Sequence, residues 1–352
     1  MKFSLYIIFY LSFIQIYAQE SIFPNLTGNV LLDKLIEDFK PRTVLDYATA
    51  REYMYEELQS KKDSIEGVYS GFTIYLPSNE PSRAWTFDNG INAEHIYPRS
   101  KGASKGNAFS DLHHLRPARA AVNSARLNHS FKEINDARTK KWYRLDASRF
   151  DKPTDKIDEF SELDSFVTDN GFIIGDFEPR ESVKGDIARA VFYFFTMYKS
   201  EALSADSGYF ESMRKDLCHW HVQDSADENE IRFTKMIGDV QDGKVNPFII
   251  DCSLALRSHC MDFNLKCADS SVPTVELSNN NELHIYPNPS DGIINFQLEK
   301  AIEHIDIYDL NGRLIFSNSG DNLTNVLLSQ GLFQVVIRDK QSNVYYGRIV
   351  VN

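Results

Sequence analysis

The feature that most constrains this chain is a break in its periodicity. Over Ala268–Glu282 the sequence turns to Ser, Asn and Val-Pro-Thr without a large apolar run. Before it, apolar residues recur at helical spacing through long segments. After it come only short alternating segments separated by turn residues. A side-chain period near 3.6 cannot serve as a period of 2, so neither one bundle nor one sheet can absorb the whole chain. With 352 residues there is room for two domains, and 42% apolar with 25% charged residues is the balance of a folded protein.

The boundaries follow. Residues 1–18 read as a signal peptide: Lys2, an apolar run from Phe3 to Phe13, and a small residue at Ala18 that would leave Gln19 first. The run is broken by Gln15 well before the roughly 20 apolar residues of a membrane span. An exported, soluble protein is expected. Residues 19–267 form the first domain, 268–282 a linker, and 283–352 a small all-β sandwich. Export favours two disulfides among Cys218, Cys252, Cys260 and Cys267, with Cys260–Cys267 the favoured local bridge. A zinc site on Cys218, His219 and His221 is the alternative.

In the first domain the spacing predicts helices over Val30–Phe39, Thr43–Gln59, Ile187–Lys199 (with Asp186 as N-cap) and Ser207–Val222. It predicts a strand over Gly67–Tyr75 and a further element between Lys235 and Phe248. Leu112–Leu115 reads as a short strand, and Pro117 suits the first turn of a helix running to about Asn128. The domain is therefore mostly helical with a few strands, and the fold class is α+β. In the tail, strands are expected over Leu283–Tyr286, Gly292–Gln297, His304–Tyr308, Arg313–Ser317, Leu332–Arg338 and Tyr345–Val351.

One stretch, Asn92–Phe131, concentrates groups that bind metals, move protons and hold phosphates. It reads Asn92-Ala-Glu94-His95-Ile-Tyr-Pro98, then Asp111-Leu-His113-His114-Leu-Arg116-Pro117, then Val122-Asn123-Ser-Ala-Arg126-Leu-Asn128. The protein carries a net −12, yet His95–Arg144 holds eleven Lys/Arg against three acids, a local +8 that leaves −20 elsewhere. A basic patch on an acidic body focuses field on a polyanion. Phosphodiester hydrolysis needs a base for water, a cation for developing charge, and positive groups on the spectator oxygens. His95 suits the first role. Glu94 and Asn123 suit a hard cation, best Mg²⁺, with Ca²⁺ or Mn²⁺ as alternatives. On a bent turn before Pro98, Glu94 and His95 could diverge around one phosphate, with Asn123 closing the site from the following helix.

These three motifs resemble the endonuclease I family of ββα-metal (His-Me finger) nucleases. Gly185-Asp186-Ile-Ala-Arg189, Trp220-His221 and Asn246-Pro-Phe248 look like its downstream blocks, so the resemblance runs from about Val30 to Asp251. It implies a ββα-metal core, His95 as general base, and Glu94 and Asn123 as ligands of one divalent ion. It further implies an arginine on the phosphate, for which Arg99 is the one available between the first two motifs. Arg116, Arg119 and Arg126 are then phosphate-binding or supporting cations. Asp111 is a turn or supporting group, one of His113 and His114 orients His95 or packs under the metal with the other in the core, and Arg189 buttresses the site or caps a helix. The chain departs from the family at Leu127, at Ile250-Asp251-Cys252 and over Arg116-Pro117-Ala118-Arg119, which bears on nucleic-acid contacts more than on chemistry. The resemblance implies DNA, or also RNA, as substrate, 5′-phosphate products, and tolerance of sequence through backbone contacts.

Tyr286-Pro-Asn-Pro-Ser-Asp-Gly292, Ile307-Tyr-Asp-Leu-Asn-Gly-Arg313 and Gly347-Arg-Ile-Val-Val-Asn352 resemble a type IX secretion C-terminal sorting domain. That implies a Gram-negative bacterium, the type IX machinery as partner, and a secreted or surface destination. The expected protein is thus a secreted, metal-dependent, largely sequence-nonspecific endonuclease. A ribonuclease of the same fold and a non-catalytic extracellular DNA-binding surface protein are the alternatives.

Overall fold

A computed structural model describes residues 21–58, 63–267, 283–298, 300–309, 313–319, 325–340 and 344–351. The predicted signal peptide and linker lie outside the described residues. Two compact units result, divided between Ser270 and Ser271, and the fold is α+β.

The first unit is organised by the helix Lys184–Met197, in which every residue but Asp186 is buried. Apolar groups occur all around it, so it must be covered on every side. Tyr209–Gln223 packs along it, with Phe195 and Phe210 stacked at 3.8 Å, and Tyr97, Phe131 and Phe248 join the same core. Asp186 does not cap this helix. The helix starts two residues earlier, and Asp186 in its first turn accepts from Arg189 Nη2 at 2.9 Å.

Other elements depart from the sequence reading for local reasons. Thr43–Gln59 shortens to Tyr47–Glu56, because the Asp46 side chain accepts from the Ala48 and Thr49 amides and fixes the start there. Gly67–Tyr75 is not one strand but the end of a hairpin, Ser64–Glu66 with Thr73–Tyr75, whose connection needs Gly71 at φ +67°. Leu112–His114 is a 3-10 turn rather than a strand, with Asp111 accepting from the His113 amide. Pro117 lies within the strand Leu115–Arg119, and the helix begins only at Ala120. The segment Lys235–Phe248 resolves into the helix Glu228–Val240 and a turn Pro247–Ile250 capped by Asn246. A five-stranded sheet was not foreseen. Its order is Ser130–Phe131, Ile173–Glu178, Ser161–Val167, Lys141–Arg144, Ala147–Arg149, antiparallel except for the first pair.

Both disulfides form, but not with the favoured pairing. Cys218 bonds Cys260 and Cys252 bonds Cys267, because the helix carrying Cys218 packs against the chain's return and brings Cys218 beside Cys260 in the core. The zinc alternative falls with it: Cys218 has no thiolate to offer, and the His221 ring bonds the Cys252 carbonyl. Near these bonds Arg257 donates to the carbonyls of Ile22, Phe23 and Leu26 at 2.7–2.9 Å, and Asp251 accepts from the Ile22 amide at 2.8 Å.

The second unit holds a three-stranded sheet (Leu283–Tyr286, Ile293–Leu298, Asn325–Leu327) and a four-stranded one ordered Leu314–Ser319, Ile302–Asp309, Gly331–Asp339, Val344–Val351. Both contribute to one core, including Ile294, Phe296, Ile305, Val335 and Ile349. Alternation along Gly331–Asp339 puts Phe333, Val335 and Ile337 inside. Among the described residues no helix is long and apolar enough to cross a membrane.

Candidate active site

The strand Ile91–His95 runs antiparallel to Leu115–Arg119, with Glu94 opposite Arg116 and His95 opposite Leu115, and the helix Ala120–Arg126 follows at once. This strand–strand–helix unit opens a cleft of about 1100 Å³ lined by Glu94, His95, Arg99, Lys105, Asn123 and Arg126. Successive strand residues point to opposite faces. Glu94 and His95 both reach the cleft because the strand ends at His95 and the chain bends at Ile96 and Tyr97.

His95 is fixed by one bond. Its Nε2 lies 2.9 Å from the Phe109 carbonyl, which can only accept, so Nε2 carries the proton and Nδ1 keeps a lone pair. The ring stacks on that of Phe109 at 5.3 Å and 14°. Burial pushes the His95 pKa down to about 4, Arg99 and Arg126 push the same way, and the Phe109 carbonyl opposes them. The imidazole is therefore neutral, as a base must be, across the physiological range.

Glu94 is 3% exposed. Its Oε1 accepts from the Tyr69 hydroxyl at 2.6 Å and stands 3.4 Å from Arg126 Nη1. Burial raises its pKa, while Arg126 and Tyr69 restrain the rise. Asn123 Nδ2 donates to Asn92 Oδ1 at 2.8 Å and, more weakly, to the Ala93 carbonyl at 3.4 Å. That orientation turns Oδ1 away from the strand, and among the described residues no protein donor meets it. A buried carboxylate and an amide oxygen without a donor, lining one cleft, are ligand types suited to a hard divalent cation.

The cations divide sharply. Arg99 and Lys105 are exposed in the cleft, Arg99 lying 5.0 Å over the Phe109 ring. Arg126 is fully buried, donating to the Ile96 and Leu127 carbonyls and the Tyr209 hydroxyl, and so acts on Glu94 rather than on solvent. Arg116 and Arg119 do not line the cleft. Arg116 donates to the Leu115 carbonyl at 2.8 Å and faces a separate cavity of about 290 Å³ with Asp186 and Glu230, while Arg119 lies over the Phe72 ring. Arg189 is also remote, tied to Glu230, Asp186 and the Asp224 carbonyl.

Asp111 is a structural hub, accepting from Tyr193, Tyr198, Gln241 and the His113 amide. His113 and His114 are buried below the cleft, their Nε2 atoms on the Lys244 and Ala108 carbonyls at 3.0 and 2.8 Å. Burial lowers both pKa values, that of His114 to about 3. Only the His114 ring comes near, 5.5 Å from His95. The motifs did not indicate Tyr69 and Phe109, which hold Glu94 and His95, or Glu201, which lines the cleft; Tyr69 gave no signal beyond its place in a predicted strand. Elsewhere Glu133, Glu178 and Glu181 converge, but the Lys184 ammonium fills their centre and leaves no place for an ion.

Residues 27–252 match the family model Endonuclease I, and residues 284–352 match the secretion system C-terminal sorting domain. Two curated relatives are called extracellular ribonuclease. The one from Bacillus subtilis (strain 168) is 27% identical over 241 residues, covering 63% of this chain and 72% of its own. That from Bacillus amyloliquefaciens is 27% identical over 205 residues, covering 53% and 62%. The solved structure of CopC from Methylosinus trichosporium OB3b aligns with 19% of this chain and 80% of that one, at 17% identity and a TM-score of 0.14, too low to bear on the fold.

Proposed function

The chain belongs to the endonuclease I family and ends in a secretion sorting domain, which makes it a secreted or cell-surface nuclease, and from that premise we propose a metal-dependent phosphodiester hydrolase with His95 as general base. One observation carries the proposal: the Phe109 carbonyl holds His95 Nε2, which leaves Nδ1 with its lone pair on a ring that lines a cleft shared with Glu94 and Asn123.

In this reading Nδ1 takes a proton from the attacking water, and the low His95 pKa keeps the ring ready to do so. Glu94 and Asn123 hold one divalent cation, best Mg²⁺, which when bound stabilises charge on the phosphate and leaving oxygen. Arg99 and Lys105, the exposed cations of the cleft, neutralise the substrate's non-bridging oxygens, and Arg126 keeps Glu94 in place. Contacts of this type carry no base information, so cutting is largely tolerant of sequence, and attack of water with departure of the 3′-oxygen leaves 5′-phosphates. Both DNA and RNA fit such contacts. The relatives' names favour RNA among the substrates.

The test is hydrolysis of plasmid DNA and of RNA by the mature protein, with Mg²⁺ or with chelator, beside His95→Ala. Cutting should need the cation and fall by orders of magnitude in the variant, with folding and nucleic-acid binding retained. Unchanged cutting by His95→Ala would refute the base assignment, and cutting that survives full chelation would refute the metal.

A further inference from the structure

The cleft has a second wall that carries none of these groups. The helix Lys199–Ala205 contributes Ser200, Glu201 and Ser204 to its lining. Its position is fixed by close packing: a Cβ on Gly102, which sits at φ +133°, would come within 2.9 Å of the Ala202 backbone. The ion pair of Lys101 with Asp206, 2.7 Å long, ties the far end of the same helix to the Arg99–Lys101 turn. The wall is thus held in register with the residues assigned to phosphate.

A carboxylate in a nuclease cleft needs explanation, because it repels the backbone the cleft must hold. Glu201 is not neutralised in place. Its side-chain partner is the neighbouring Ser200 hydroxyl at 2.6 Å, and no cation lies within ion-pairing distance among the described residues. Burial works against its charge, but the Ser200 hydroxyl and its own amide, helped by the fields of Lys40 and Lys105, hold its pKa below the usual range, so it remains an anion. As an acid in the first turn of its helix it has a small favourable effect on the helix dipole. That effect does not require it to face the cleft. An ionised carboxylate only accepts hydrogen bonds, and the donors on a nucleic acid are the ribose 2′-OH and the amino and imino N–H groups of the bases.

Building on the nuclease reading above, we propose that Glu201 is a specificity-determining residue that accepts a hydrogen bond from a nucleoside donor, either the ribose 2′-OH or a base N–H, flanked by the Ser200 and Ser204 hydroxyls. Arg99 and Lys105 follow the phosphates while this wall reads the nucleoside.

The experiment compares wild type, Glu201→Gln and Glu201→Ala on single-stranded RNA and DNA of one mixed sequence, measuring kcat/KM and the frequency of cutting at each base. Recognition of the 2′-OH predicts that Glu201→Ala loses tenfold or more on RNA and less than twofold on DNA. Recognition of a base donor predicts an equal loss at one or two bases on both polymers, with the others unchanged. The readout is the preference ratio, which a general loss of fold or helix stability leaves untouched. Ratios equal to wild type in both variants, with rates rising or falling alike on every substrate, would overturn the proposal. Absence of any hydrolysis by the wild type would instead overturn the nuclease mechanism on which it rests.

Discussion

Removal of the Tyr69 hydroxyl tests how Glu94 is prepared for a cation. In Tyr69→Phe the ring keeps its packing against Phe177 (centroids 4.8 Å apart), and only one oxygen is lost. That oxygen donates at 2.6 Å to a carboxylate that is almost fully buried. A hydrogen bond to a charged group contributes about 1.5–3 kcal/mol. At about 1.36 kcal/mol per tenfold, this converts to a roughly 10- to 150-fold disadvantage for the ionised form. Burial already raises the Glu94 pKa, and Tyr69 is one of two side chains restraining it. The variant's carboxyl should therefore titrate higher still. Because the ion binds the carboxylate, the acid limb of the rate profile should move to higher pH, and the Mg²⁺ midpoint should rise more at pH 6 than at pH 8. Mg²⁺ titrations of the hydrolysis rate at the two pH values read both quantities. A folded Tyr69→Phe protein whose acid limb and Mg²⁺ midpoints stay within twofold of wild type would refute the reasoning. Tighter Mg²⁺ binding would refute it too, by showing that Tyr69 competes with the cation for the same oxygen.

Two expectations concern the body of the nuclease. Burial holds His95 and His221 near pKa 4 and His114 and His259 near 3, so below pH 6.5 the unfolded chain binds more protons and stability falls as pH drops toward 3. Glu162 and Glu178, raised to about 8 and 7, act oppositely: their contribution is full below about pH 4.5 and is lost as pH rises through those values. Calorimetry should then find the highest Tm between about pH 5 and 6.5, and a Tm still climbing to pH 8.5 would contradict this. Cys218–Cys260 spans 42 residues and Cys252–Cys267 spans 15. Chain entropy gives them about 4 and 3 kcal/mol. Urea unfolding of Cys218→Ala with Cys260→Ala should show the larger loss, and the reverse order would show that native packing dominates the bridges.

The sequence made some of this legible and hid the rest for physical reasons. Glu94, His95 and Asn123 could be singled out because the chemistry they suit is rare in combination, and the structure brings all three to one cleft. The arginines could not be sorted, because a motif position does not say whether a guanidinium meets solvent or a buried acid. Arg126 turned inward to Glu94, Arg116 faced the cavity of Asp186 and Glu230, and only Arg99 stayed exposed in the cleft. Lys105, hidden in a Gly/Ser-rich loop, took the place they left. The five-stranded sheet was missed because Glu162, Asp164 and Glu178 are buried in it, which spoils the alternation of apolar and polar residues. Cysteine pairing failed on separation: nearness in sequence favoured Cys260–Cys267, and helix packing decided otherwise.

The grip of Arg257 and Asp251 on Ile22–Leu26 sets an order of assembly in time. The contact joins residues 229 to 235 positions apart, so these backbone groups of Ile22–Leu26 meet Arg257 and Asp251 only when nearly the whole unit is present. A chain that emerges from its N-terminus presents Ile22 long before Arg257, which comes near the end of the first unit. Closure of this seam, and of the two disulfides beside it, therefore waits until the first unit has emerged almost whole.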